Sequence, residues 1–435
     1  MFASFSSIRF VAAVAGMTVA SSVLAQGVLR QGESRDWTIR FRVNIRAWQD
    51  FGSVEQQRGA SRDTWAFDQA TVVVPVLERT SLHRVHENRV DMKVRVDDRD
   101  ATPASTDPFV RLNNKHAGSR YLGFAIAEGT ARDISVVTEI GITSYDVTVN
   151  DERAIAVEWP VGDWPEDALS ALDPQVGIEL GLDGEEYRGL DRVSGSIDNL
   201  IERLGTSPRN VPPYLVAKYL TGAVWAHIRS RTGNGLNTAR TGEIEGLEVH
   251  GVPTTFVRRR GNQFDTCAVL VYAMRRAGLP ARMVIGIIAD ARADDEDVLT
   301  QRNDREGEII SWVEFALVEN GRTTWIPVDF NGMMRSSSRA PDISDVEVLR
   351  KPWDGFGTID DTRYWAPFAH HVHPPVTVKA YGSPGFWGIF AEPAEPSRAE
   401  QMIMFDVTST PKTAESRRET REQGGGGDTP RRRRR

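Results

Sequence analysis

The chain of 435 residues is 40% hydrophobic and 26% charged, a composition typical of globular domains and inconsistent with a wholly disordered or collagen-like chain. Its single cysteine, Cys267, excludes an intramolecular disulfide and any zinc or iron–sulfur site built from several cysteines. Residues 26–414 carry 44 basic and 56 acidic side chains, and this net charge of −12 argues against nucleic-acid binding.

Residues 1–25 have the features of a secretory signal peptide. Arg9 precedes the apolar run Phe10–Leu24, and the small residue Ala25 stands just before Gln26. We therefore expect an exported protein, periplasmic or extracellular, with an uncleaved membrane anchor as the alternative for this segment. No later segment has about 18 consecutive apolar residues, so we expect no membrane span in the mature chain.

Residues 26–160 show the period-two alternation of half-buried strands. Apolar residues alternate with arginines over 39–47, and a similar pattern covers 90–96. Further strands are predicted over 71–77, 134–137, 140–149 and 154–159. Short strands that follow each other without intervening helices are typical of an antiparallel sandwich, so we predict a β-rich N-terminal domain.

The pattern changes after Trp159. Residues 161–209 are predicted to form a helical linker region, with one helix over 196–204. Pro212-Pro213 then precede an apolar stretch that predicts a helix over 214–231, and Gly233 follows it. Proline at the start and glycine past the end are typical helix boundaries.

Residues 255–330 carry the most informative pattern. Basic residues and Gly261 precede Asn262–Cys267, and an apolar helix predicted over 268–277 ends at Gly278-Leu279-Pro280-Ala281-Arg282. Buried strands are predicted over 282–289, 309–318 and 323–330. The second of these strands contains Ser311-Trp312-Val313-Glu314, and the third contains Trp325-Ile326-Pro327-Val328-Asp329.

This order of blocks resembles the bacterial transglutaminase-like domain, whose fold is related to papain-like cysteine proteases. The family's blocks are Gly-x-Cys opening a helix that ends in Gly-Ile-Pro-Ala-Arg, then His-Ala-Trp-x-Glu, then Gly-Trp-x-x-x-Asp. The resemblance covers about residues 210–345. It implies an α+β fold with a helix packed on an antiparallel sheet, no cofactor, and acyl transfer from an amide by a cysteine, a histidine and an aspartate.

Two of the three catalytic positions hold residues without the required chemistry. Counting from Gly261 and back from Gly278 places Gln263 at the nucleophile position. The residue before the Ser311-Trp312 pair, at the base position, is Ile310, and only Asp329 matches the family triad. A neutral amide is not a useful nucleophile and isoleucine has no proton to exchange. The resemblance therefore implies a degenerate triad, with Ser311 and Trp312 lining the cleft.

Cys267 is the rival nucleophile, on the same helix face as Gln263 but one turn later. Its base would have to be a displaced histidine, with His227, His250 and the cluster His370-His371-Val372-His373 as candidates. The alternative is a buried cysteine that packs as a small apolar residue. One helical turn is about 5.4 Å, too large a displacement for a nucleophile, so we predict packing.

The remaining segments add weaker signals. His371 and His373 are weak candidates for a metal site, because no third ligand is identifiable, and we predict no metal. Residues 290–308 lack the calcium-loop pattern and are predicted to be a solvated insertion. Residues 346–414 are predicted to be an extension packed on the core, and 415–435 a disordered Gly/Arg tail.

The sequence thus predicts an α+β protein: a β-sandwich-like domain over 26–160 followed by a transglutaminase-like domain over 210–345. The first functional hypothesis is an inactive envelope protein that binds a peptide or protein, or has a structural role. The alternative is a transglutaminase or an amidase-like or peptidase-like enzyme that uses Cys267.

Overall fold

The computed structural model describes residues 27–47, 65–77, 79–102, 109–110, 119–181, 185–238, 244–288, 298–300, 308–370, 388–392 and 399–409. The strands in this part of the chain are β1 (Leu29–Ala47), β2 (Trp65–Leu77), β3 (His83–Val96), β4 (Arg99–Asp100), β5 (Phe109–Val110), β6 (Ser119–Ala131), β7 (Asp133–Val149), β8 (Ser230–Arg231), β9 (Leu236–Thr238), β10 (Ile244–Leu247), β11 (Arg260–Gly261), β12 (Ala281–Ile288), β13 (Val298–Thr300), β14 (Glu308–Glu319), β15 (Arg322–Val328), β16 (Trp365–His370), β17 (Gly388–Glu392) and β18 (Ala399–Ser409). The α-helices are α1 (Asp151–Ala156), α2 (Glu166–Leu169), α3 (Leu190–Glu202), α4 (Pro213–His227), α5 (Gly251–Arg258), α6 (Gln263–Arg276), α7 (Phe330–Ser336) and α8 (Val346–Leu349).

Two antiparallel sheets contain the N-terminal strands. One sheet has the order β4-β3-β7-β1-β18-β10-β9, with β13 also paired to β18, and the other has the order β17-β2-β6-β5. Phe41 of the first sheet and Leu122 of the second belong to one hydrophobic core. The alternation predicted over 39–47 is observed in β1, where Ile39, Phe41 and Val43 are 0% exposed.

The third large sheet has the order β15-β14-β12-β16, and all of its pairings are antiparallel. Helix α6 packs on β12 and β14, and α4 packs against α6. A second apolar cluster, which includes Val284, Ile310 and Trp312 of this sheet, also contains Leu77 and Val147 of the N-terminal strands. The predicted α+β class, with a helix on an antiparallel sheet, is confirmed.

The C-terminal strands divide between the sheets. Strand β16 pairs with β12, whereas β17 pairs with β2 and β18 pairs with β1 over eleven residue positions. The domain boundaries drawn from the sequence stay a prediction. Within the described ranges, no helix is long and apolar enough to cross a membrane. The predicted signal segment and Gly/Arg tail lie outside the described residues.

One predicted strand is wrong. The segment predicted as a strand over 154–159 contains the end of helix α1, Asp151–Ala156. Asn150 begins this helix, because its side-chain oxygen accepts a hydrogen bond from the backbone N–H of Arg153 at 3.0 Å. Asp151 and Glu152 in the first turn favour the helix further, since they interact well with its positive N-terminal end.

A buried ion pair connects the third sheet to the N-terminal part of the chain. Glu314 of β14 accepts hydrogen bonds from Arg282 of β12 at 3.0 and 2.6 Å, and these residues are 0% and 2% exposed. Its other oxygen accepts from the backbone N–H of Ser81 at 3.1 Å and from the Ser81 hydroxyl. Nearby, burial lowers the pKa of His83 to about 3, so this imidazole is neutral.

Candidate functional site

The candidate site begins at the N-terminus of helix α6. Asn262 caps the helix: its side chain accepts from the backbone N–H groups of Phe264 and Asp265 at 2.9 and 3.1 Å. Asp265 accepts in return from the Asn262 backbone N–H at 3.2 Å, which completes a capping box. Gly261 just before the cap has to be glycine, because an added Cβ would approach Asp265 and Thr255 to within 2.7 and 2.8 Å. This geometry fixes Gln263 as the first helical residue.

The Gln263 side chain is bonded at both ends of its amide. Nε2 donates to the carbonyl oxygens of Asn234 at 2.7 Å and Ile309 at 2.9 Å, and Oε1 accepts from the backbone N–H of Ser311 at 3.2 Å. Gln263 is only 1% exposed. The nitrogen and the oxygen of the Gln263 amide are therefore both hydrogen-bonded. This side chain stands at the position where the family resemblance implies a nucleophile.

The hydrogen bonds of Gln263 fall at a part of β14 where, among the described residues, a strand pairs on one side only. Pairing of β14 with β15 starts at Val313↔Val328, so the backbone of residues 309–311 extends beyond the end of β15. There the Gln263 amide donates one hydrogen bond to the carbonyl oxygen of Ile309 and accepts one from the N–H of Ser311, as a neighbouring strand would. This explains why a glutamine fits: its carboxamide satisfies backbone groups that would otherwise be buried without partners.

Asn331 completes the same cluster and was missed by sequence reasoning. Its Nδ2 donates to the Ser311 carbonyl oxygen at 2.9 Å and to the Gln263 carbonyl oxygen at 3.2 Å, and it lies 3.2 Å from the sulfur of Cys267. Its Oδ1 accepts from the Thr266 hydroxyl at 2.9 Å. The only sequence signal was its position two residues after Asp329.

The other two triad positions lie in an apolar cluster and at the start of a helix. Ile310 is 4% exposed and packs in the apolar cluster with Trp312 and Trp365. Asp329 begins helix α7, and its Oδ1 accepts from the backbone N–H of Gly332 at 2.8 Å. The Gln263 side chain thus binds the backbone of Ile309 and of Ser311, the residues on either side of Ile310. Asp329 caps the N-terminus of α7.

The cleft-lining role predicted for Ser311 and Trp312 does not agree with the structure, because these residues are 1% and 0% exposed. The Ser311 hydroxyl donates to the Gln263 carbonyl oxygen at 3.0 Å. Trp312 faces the opposite side of β14, and its ring centre lies 5.2 Å from that of Trp365. Both side chains are packed between layers of the fold and not on an open surface.

Cys267 lies one turn into α6 and is 0% exposed. Its sulfur lies 3.6 Å from the Ser311 hydroxyl and 3.2 Å from the Asn331 amide. The sulfur of Cys267 is therefore buried against the side chains of Ser311 and Asn331.

The structure describes three of the histidines considered as displaced bases, His227, His250 and His370. His227 stacks on Phe256 at 3.8 Å between ring centres, and His250 contacts Asp265 through Nδ1 at 2.8 Å. His370 is 1% exposed at the end of β16. His371 and His373 lie outside the described residues. Within the described residues, no group of three or more His, Cys, Asp or Glu is arranged to hold a metal.

Comparison with known proteins agrees with the sequence resemblance. Residues 221–330 match the family model of the transglutaminase-like superfamily, which confirms the predicted resemblance for this stretch. No curated protein matches the chain.

Two solved structures are similar to the chain. A candidate cysteine protease from Cytophaga hutchinsonii is 12% identical, with 88% of this chain and 94% of that chain covered and a TM-score of 0.47. The periplasmic domain of TgpA from Pseudomonas aeruginosa, bound to ethylmercury, is 13% identical, with 72% and 93% covered and a TM-score of 0.27.

Proposed function

We propose that this chain is an exported, catalytically inactive transglutaminase-like protein that binds a peptide or protein, or serves as a structural module, in the cell envelope. The signal-like sequence of residues 1–25 supports export. The match of residues 221–330 to the transglutaminase-like superfamily supports descent from an amide-processing scaffold. The acidic balance of residues 26–414 supports a partner other than nucleic acid.

The observation that carries the proposal is the hydrogen bonding of Gln263. In a cysteine-dependent enzyme, a thiolate at the helix N-terminus attacks the carbonyl carbon while a histidine moves the proton. Here the amide of Gln263 is bonded to Asn234, Ile309 and Ser311, and it has no lone pair of useful nucleophilicity. Removing either the nucleophile or the base of such a unit abolishes most of its catalysis.

The alternative enzyme would use Cys267 as its nucleophile. A reactive cysteine needs access for substrate. Cys267 has 0% exposure, and its sulfur lies against the side chains of Ser311 and Asn331. This burial supports the inactive protein over the enzyme.

We expect the purified full chain to incorporate no fluorescent amine into casein and to release no peptides from it. The matched control is Cys267→Ser, which removes the only thiol in the chain. Wild type and control should give the same background signal, because neither holds a functional nucleophile and base. Casein turnover by the wild type that Cys267→Ser abolishes would support the enzyme instead.

A further inference from the structure

A cavity of about 440 Å³ lies between the start of β1, the segment before β3 and the strand β15. Its lining includes Leu29, Arg79, Ser81, Asp167, Arg282 and Trp325. Gln263 is not among the lining residues, so the cavity is separate from the candidate site. The volume falls within the range of about 300–1,000 Å³ typical of small-ligand sites.

The inner wall of the cavity contains a buried ion pair. Arg282 is 2% exposed, and its guanidinium lies 3.9 Å from the ring centre of Trp325. Glu314 binds the same guanidinium at 2.6 Å and also accepts from the backbone N–H of Ser81 at 3.1 Å. Because Glu314 offsets the charge of this guanidinium, which Asp167 also attracts, Arg79 and Asp167 are the charged groups that a ligand meets at the rim.

The rim has one positive and one negative side chain. Arg79 is exposed, and its guanidinium makes no hydrogen bond or ion pair within the described part of the chain. Asp167 is exposed too, and its Oδ1 accepts from the Thr323 hydroxyl at 2.7 Å, which orients the carboxylate. Leu29 and the indole of Trp325 supply apolar surface in the same cavity.

This arrangement favours a ligand with two opposite charges. A simple anion bound to Arg79 would share the cavity with the Asp167 carboxylate, and a simple cation bound to Asp167 would share it with Arg79. A zwitterion satisfies both rim charges, and its uncharged middle part can lie on Leu29 and Trp325. A short peptide with free termini has this chemistry.

We propose that this cavity binds a short peptide through both of its termini, with the carboxylate on Arg79 and the ammonium group on Asp167. The inference rests on the proposed function in one respect: the peptide is held and not cleaved. It assigns the peptide to a place on the molecule away from Gln263.

Calorimetric titration of the full chain with tri-alanine tests the proposal, with N-acetyl-tri-alanine and tri-alanine amide as blocked probes. We expect saturable binding of tri-alanine. Each blocked probe should bind at least about tenfold more weakly, because it lacks one of the two charged groups that the rim would bind. Absence of binding, or equal binding of the three probes, would overturn the assignment.

Two rim variants locate the termini. Arg79→Gln should weaken the binding of tri-alanine at least about tenfold and leave the binding of tri-alanine amide unchanged. Asp167→Asn should weaken the binding of tri-alanine by a similar factor and leave the binding of N-acetyl-tri-alanine unchanged. Arg84→Gln is the matched control, because Arg84 is an exposed arginine that does not line the cavity. Equal weakening by Arg84→Gln would overturn the site.

Mass spectrometry of the recovered peptide distinguishes failure of the proposed inactive protein from failure of the proposed cavity site. Binding of tri-alanine followed by recovery of the intact peptide agrees with both proposals. Cleaved tri-alanine would contradict the inactive protein, whereas intact peptide without binding would contradict only the cavity.

Discussion

Glu314→Ala is expected to lower the free energy of unfolding by about 3–5 kcal/mol, the usual cost of removing one partner of a buried ion pair. The carboxylate is 0% exposed and receives two hydrogen bonds from Arg282, at 3.0 and 2.6 Å. Burial already lowers the pKa of Arg282, and Glu314 opposes that shift by attracting its charge. Without Glu314, the guanidinium would remain buried without this carboxylate.

Asp198→Ala is the matched control for Glu314→Ala. Asp198 also pairs with an arginine, Arg276, but these side chains are 38% and 40% exposed. Exposed pairs contribute about 0–1 kcal/mol, so this control should change stability little. Urea unfolding of wild type and both variants gives the comparison. If Glu314→Ala costs no more than Asp198→Ala, the buried pair does not have the structural role described here.

Gln263→Ala is expected to cost about 2–4 kcal/mol, although alanine is the better helix former. The variant removes every hydrogen bond of the carboxamide, to Asn234, Ile309 and Ser311. It leaves the backbone of Ile309 and Ser311, which are 1% exposed, without those partners. Urea unfolding measures the loss, and circular dichroism confirms that the variant retains its secondary structure.

Gln263→Met separates hydrogen bonding from packing at the same position. Methionine has a similar length but cannot replace the donors and acceptors of the amide. We expect Gln263→Met to retain at least about half of the destabilisation of Gln263→Ala. Full stability of the methionine variant would mean that the amide fills space and that its hydrogen bonds contribute nothing net.

The parts of the fold that could be predicted are those set by local pattern. The period-two alternation over 39–47 identified the core of β1, and the apolar stretch bounded by Asn262 and Gly278 identified α6. The strand predicted over 154–159 was wrong because a cap at Asn150 outweighed a short apolar pattern. The pairing of β18 with β1 joins segments more than 350 residues apart, and no local pattern specifies it.

The candidate site was predictable in position but not in contacts. Spacing from Gly261 and Gly278 assigned Gln263 to the helix start, where the structure has it. The role of Asn331 was not predictable, because it depends on how α7 places an amide beside Ser311. The burial of Trp312 was not predictable either, because its cover comes from Leu77 and Val147 of the N-terminal strands.

We propose that the N-terminus of α6 holds a closed, structural cluster and no reactive thiol. Alkylation of Cys267 by iodoacetamide tests it most directly, because the chain has one cysteine and intact mass counts a single adduct. We expect the folded protein to react at least about a hundredfold more slowly than the protein in concentrated guanidinium, since labelling waits for local opening. Labelling of the folded protein as fast as, or faster than, the unfolded chain would contradict the account and indicate a nucleophilic Cys267.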